Sequence, residues 1–137
     1  MASFKEINIP QKPPMVMVDR IVEMNDLTTV TSFLISAGNI FVEEGLFREP
    51  GLIENIAQSA AAGMAARSGE AGEEPKRGYI GAVRDLKISS LPKAGDEIMT
   101  TVTVTHEILN AIVVSGLTRL NGTVIAECEL RIFIGNR

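Results

Sequence analysis

One segment of this chain reads as a helix, almost everything after it reads as strand, and that imbalance dictates the architecture. Residues 50–66, Pro-Gly-Leu-Ile-Glu-Asn-Ile-Ala-Gln-Ser-Ala-Ala-Ala-Gly-Met-Ala-Ala, combine small and apolar side chains at helical spacing. From Tyr79 nearly to the carboxyl end the period drops to two. A lone helix of this composition is too apolar to stand in water, so it must lie across a sheet built by the later strands.

The remaining elements follow from local signals. Pro10, Pro13 and Pro14 forbid a long helix near the amino end, and residues 15–24, Met-Val-Met-Val-Asp-Arg-Ile-Val-Glu-Met, read as a first strand. Asn25-Asp26 is turn chemistry, residues 27–35 return as a second strand, and 36–49 show no regular pattern. Pro50-Gly51 opens the helix, Gly69 offers a stop after Arg67-Ser68, and 70–77 read as a solvated loop. Four strands are expected at 79–89, 97–107, 111–120 and 123–134, with a turn at 91–96 and the hairpin dipeptide Asn121-Gly122 before the last.

Strand, strand, helix and four strands describe an α+β fold, with a curved antiparallel sheet of about six strands wrapping one long helix. The lengths agree, at roughly 25 Å for the helix and about 33 Å for the longest strands. Ala57, Ala60, Ala61 and Gly63 are expected to let the helix backbone approach the sheet closely. Strand edges and an outer sheet face then remain to be protected, which dimerisation achieves.

Composition narrows the function. With 137 residues the chain is expected to be one domain, 1–137. The net charge of -4 comes without a basic cluster, so nucleic acid is not an expected partner. No segment reaches the length of a membrane span, and Met1 to Pro10 lack an apolar leader core, so a cytoplasmic location is expected. One cysteine, Cys128, sits among the strand neighbours Ala126 and Leu130 and reads as a packed thiol. With a single histidine, His106, a metal site is not expected.

Glu54 and Gln58 carry the main functional signal. Four residues apart, they share one helical face, flanked by Leu52, Ile53, Ile56, Ala57 and Ala61. Both are expected to be partly buried, near a helix start whose free N–H groups attract an acyl oxygen. A carboxyl at the boundary of an apolar surface suits proton transfer beside a carbonyl. The structural alternative is a carboxyl satisfied by a neighbouring group, with no chemistry. Asp19-Arg20 reads as an anchor, Arg84 and Lys87 as strand residues or a modest basic rim, and Met15, Met17, Met24 and Met64 as core or acyl lining.

Several motifs in order resemble the hot-dog 3-hydroxyacyl-[acyl-carrier-protein] dehydratases of the FabZ and FabA type. Ile9-Pro10-Gln11-Lys12-Pro13-Pro14 leading to Val18-Asp19-Arg20 is similar to the family opening. Pro50-Gly51, Glu54 and Ala57-Gln58 resemble the start of its central helix, Gly95-Asp96 its turn, and Gly122 to Glu127 its last hairpin. The resemblance implies a dimer with a continuous sheet, a tunnel at the interface for a phosphopantetheine-borne substrate, and no cofactor. Glu54 would be the family's acid/base, Gln58 its orienter, and the N–H groups of Gly51 and Leu52 donors to the thioester oxygen.

The family's other catalytic group, a histidine, is missing. Counting from Asn39 places Gly45-Leu46-Phe47-Arg48 over its Gly-His-Phe-Pro stretch, so Leu46 stands at the histidine position, with Leu46 and Phe47 left as expected substrate contacts. Gln11 replaces a second, non-catalytic family histidine. Phe47 to Glu54 and Gly78 to Asp85 most resemble the divergent dehydratase-like subunit of aryl polyene and flexirubin-type pathways. The resemblance implies fatty acid or polyene biosynthesis, with an acyl carrier protein or acyl-CoA thioester as partner, in a homodimer or a mixed dimer. Three readings follow: an autonomous dehydratase, a non-catalytic subunit paired with a histidine-bearing relative, and a thioesterase in which the carboxylate activates water.

Overall fold

The computed structural model describes residues 6–72 and 77–135. Its strands are β1 (Arg20–Met24), β2 (Thr28–Leu34), β3 (Val42–Glu43), β4 (Leu46–Phe47), β5 (Arg77–Ile88), β6 (Glu97–Ile108), β7 (Ala111–Leu120) and β8 (Thr123–Gly135), with the helix α1 (Glu49–Glu70) between β4 and β5. Six of them form one antiparallel sheet in the order β1-β2-β6-β7-β8-β5. Because β2 lies near one edge and β5 forms the other, the connection through α1 carries the helix across the sheet. This is the curved sheet around one helix that the strand count predicts, the hot-dog architecture that the resemblance implies.

Alternation decides which face the helix covers. Ile98, Thr100 and Val102 of β6, Ile112 and Val114 of β7, and Ala126, Cys128, Leu130 and Ile132 of β8 are buried beneath it. Phe33, Phe47, Leu52 and Ile98 form a cluster at the helix start, and Ile56, Ala60, Val114 and Leu130 continue the core along its length. Gly116 belongs to this contact, because a β-carbon there would run into the side chain of Ile56. Of the four small residues expected against the sheet, Ala60 and Gly63 are buried there, Gly63 directly over Thr29, Ala57 is half-buried and packs against the same core, and Ala61 is half-buried outside it.

The boundaries differ from expectation in three places. The first strand begins at Arg20 rather than residue 15, since the preceding segment makes side-chain contacts with the helix instead of ladder bonds. The helix runs past Gly69 to Glu70, and the left-handed stop is Gly72, at φ 76°. Within 36–49, expected to be irregular, β3 and β4 form a small hairpin closed by Glu44-Gly45 at φ 53° and 80°. Asn121-Gly122 closes β7 and β8 with the same sign of φ, 51° and 82°, as its sequence predicts. The expected loop at 70–77 falls partly outside the described residues.

The anchoring residues act through backbone. Asp19 accepts the N–H of Leu34 at 2.8 Å, and Arg20 lies 4.0 Å from Glu97 across the sheet. Arg67 donates to the Asn25 carbonyl at 3.0 and 3.1 Å and to Thr29 at 3.0 Å, tying the last helical turns to the β1–β2 turn. At the far edge β5 pairs only with β8, and Tyr79, Ile80, Val83 and Leu86 are exposed along it. Among the described residues no helix is long and apolar enough to cross a membrane.

Candidate active site

The helix separates its polar residues into two sets. Asn55, Gln58 and Ser59 are fully buried, and each has a partner in the surrounding structure. Asn55 donates to the Met17 carbonyl at 2.7 Å and accepts from Thr100 at 2.5 Å, and Thr100 in turn contacts Thr118 at 2.9 Å. Ser59 donates to the Asn55 carbonyl and meets Thr31, both at 2.7 Å. Buried polar groups are tolerated when so partnered, and here they fix the rotation of the helix on the sheet.

Gln58 links that buried network to a surface cleft. Its Oε1 accepts the Met17 N–H at 2.6 Å, while its Nε2 donates to the Met15 carbonyl and to Glu54 Oε2, both at 2.8 Å. All three groups of the side-chain amide are thereby used, so the amide orientation is fixed by the backbone of residues 15–17 and Glu54 receives a donor of defined direction. Glu54 is half-buried, one oxygen turned to Gln58 and the residue facing a cleft of about 440 Å³. The expected pairing of Glu54 and Gln58 is present, with Gln58 the more buried of the two.

The cleft has three sides. The helix contributes Glu54, Ala57, Ala61, Met64 and Ala65, a stripe at successive turns whose small side chains leave room above them. The segment from Asn8 to Lys12 forms a second side, and Gly78, Ile80 and Ile132 the third, next to the open edge of β5. Its composition, apolar with a few polar groups, suits an acyl chain attached to a polar head. Among the described residues no group of three or more metal-ligating side chains occurs.

The other predicted site residues lie apart from this cleft. Leu52 and Phe47 are 0% exposed and pack in the core, where the Phe47 ring lies 5.9 Å from that of Phe33. Gly51 is buried because a β-carbon would collide with Phe47 and Phe41. The N–H groups of Gly51 and Leu52 already donate to the Arg48 carbonyl, at 2.9 and 3.3 Å, as the first turn of the helix closes. In the chain as it stands, these two donors are engaged within the first turn of the helix. Leu46 is half-buried in β4, bridged to Lys93, and is not a lining residue of the Glu54 cleft.

His106 is exposed at the far end of β6, beside a bulge, with Nδ1 3.2 Å from Thr105. Lys87 stands 4.0 Å from Glu127, and Arg84 is opposite Glu129 in the ladder, so the strand pairs offset the basic rim. Met17 is core, whereas Met64 lines the cleft. The residues that sequence patterning left out are Asn55 and the wall residues Asn8 and Lys12. Asn55 was visible as a third polar residue in an apolar helix, whereas the wall has no periodicity to betray it.

A family model described as ApeP-like, ApeP dehydratase, matches residues 5–136. The chain belongs to the ApeP-like dehydratase family. This ApeP-like chain is also 28% identical over 146 residues to the 3-hydroxyacyl-[acyl-carrier-protein] dehydratase FabZ of Clostridium botulinum (strain Okra / Type B1), covering 98% of this chain and 99% of that protein. Among solved structures it resembles the dehydratase heterocomplex ApeI:P from Xenorhabdus doucetiae, with a TM-score of 0.86 at 16% identity over 94% of this chain and 89% of that one. A hypothetical thioesterase with coenzyme A from Streptococcus pneumoniae TIGR4 shares the fold at a TM-score of 0.68 and 12% identity, covering 84% of each. The expected kinship with FabZ-type dehydratases, and with their divergent branch, is thereby borne out for the ApeP-like chain.

Proposed function

We propose that this chain is the carboxylate-bearing half of a two-chain dehydratase acting on 3-hydroxyacyl thioesters of an acyl carrier protein. The acyl group lies in the cleft above Ala57 and Ala61, Glu54 is the acid/base, and a related dehydratase laid against the edge of β5 supplies the second proton-transfer group. The observation that carries this reading is Glu54 itself, held by Gln58 on the wall of a cleft that contains no histidine.

The chemistry requires two groups. Elimination removes a proton from C2 and lets the C3 hydroxyl depart with an added proton, leaving water and a 2-enoyl thioester. Leu46 has no proton to accept or donate, and one carboxylate serving both steps must exchange roles within a turnover. The exposed apolar residues of β5 support pairing along that edge, since an unpaired strand presents a row of free backbone groups. A mixed assembly also agrees with the solved ApeI:P dehydratase heterocomplex.

The test is to express the chain alone and with a histidine-bearing relative, and to follow enoyl formation from a 3-hydroxyacyl carrier protein. Activity in the pair that neither chain shows alone, and that falls with Glu54→Gln, is the expected result. Failure of the chains to associate, or activity indifferent to Glu54→Gln, overturns the reading. Release of free thiol with free acid identifies a thioesterase instead, a reaction that a half-exposed carboxylate beside an apolar cleft also permits.

A further inference from the structure

Gln11 lies in the wall of the cleft opposite the helix, between Pro10 and Lys12. Its Oε1 is shut off from water and has no hydrogen-bond donor among the described residues. A carbonyl acceptor in that condition is unfavourable, because it has given up its hydration for nothing in return. No donor holds Oε1 where it is, and the neighbouring space is the cleft, so rotation of the side-chain amide toward that space forfeits no bond at Oε1. Whatever fills the cleft is then the natural source of the missing donor.

We infer that Gln11 is a ligand-reading residue whose amide carbonyl turns into the cleft and accepts a hydrogen bond from an O–H or N–H donor of the bound thioester. This rests on the thioester-binding reading above. An acyl tail and a thioester group contain no donor. The donors of such a ligand are the 3-hydroxyl of the acyl group and the amide N–H and hydroxyl groups of the pantetheine arm. Glu54 and Gln11 thus stand on facing walls, one placed for proton transfer and the other for recognition.

The experiment measures binding of 3-hydroxyoctanoyl-pantetheine and octanoyl-pantetheine to the full chain and to Gln11→Met, which keeps the length of the side chain and removes its carbonyl. A loss of about five- to ten-fold, the equivalent of one neutral hydrogen bond, is expected in the variant. If only the hydroxyacyl ligand weakens, the donor is the 3-hydroxyl; if both weaken alike, it is an amide or hydroxyl of the arm. Equal binding of both ligands by wild type and variant overturns the inference and leaves the function standing. Absence of binding by the wild type, both alone and assembled with a histidine-bearing relative, overturns both. Thermal unfolding without ligand separates recognition from support of the fold: Gln11→Met is expected to match or exceed the wild type, and a fall in Tm overturns the inference.

Discussion

Gln58 Nε2 lies 2.8 Å from Glu54 Oε2 and the same distance from the Met15 carbonyl, so one nitrogen holds both the candidate catalytic carboxylate and the segment that leads to the cleft wall. The side chain is 0% exposed. Position and stability are therefore coupled at this residue, whereas at Glu54 they are separable.

Gln58→Leu is expected to lower the unfolding free energy by about 2–4 kcal/mol, because the Met17 N–H and the Met15 carbonyl both lose their partner. Urea denaturation followed by circular dichroism measures it. A loss below about 1 kcal/mol would show that water replaces the amide.

Glu54→Gln is expected to leave stability within about 1 kcal/mol of wild type, since the residue is half-buried and keeps a polar side chain. In the mixed assembly the rate of enoyl formation is expected to fall about 100- to 10,000-fold. His106→Ala, at an exposed site away from the cleft, is expected to change neither quantity.

Two glycine substitutions are expected to act in opposite directions. Gly116→Ala drives a β-carbon into Ile56 and should cost about 1–3 kcal/mol. Gly69→Ala meets open space inside the helix and should add about 0.5–1 kcal/mol. Thermal and chemical unfolding of both variants test whether the helix packs and ends as described.

Burial pushes the Cys128 thiol up from 9.0 to about 11. The folded chain keeps a proton that the unfolded chain releases, so this contribution is fully present below about pH 9, declines as the pH rises toward about 11, and changes no further above it. Unfolding at a series of pH values should show that slope in wild type and lose it in Cys128→Ala. Thiol reagents at neutral pH should label the folded protein slowly, because Cys128 is 5% exposed.

The helix and the four late strands were legible because each maintains one period long enough to be distinguished from the other. The β3–β4 hairpin was not, since strands of two residues are shorter than any period, although Glu44-Gly45 carries a turn signal. Glu54 and Gln58 were legible from their four-residue spacing alone. Gly51, Leu52 and Phe47 were expected at the ligand, and tertiary packing instead turns them inward, a direction that local spacing does not encode. The segment that follows the wall, Met15 to Met17, is held by Gln58 more than forty residues away, a contact that no local pattern encodes.

Ala57 and Ala61 both open onto the cleft, and of the two Ala61 is the one that packs in neither core cluster. The volume at Ala61 is therefore free to vary without disturbing the interior. Under the proposed function, relatives that differ only at this methyl group would accommodate chains of different girth and reach, so selectivity among acyl groups can drift from one lineage to the next while the scaffold stays the same.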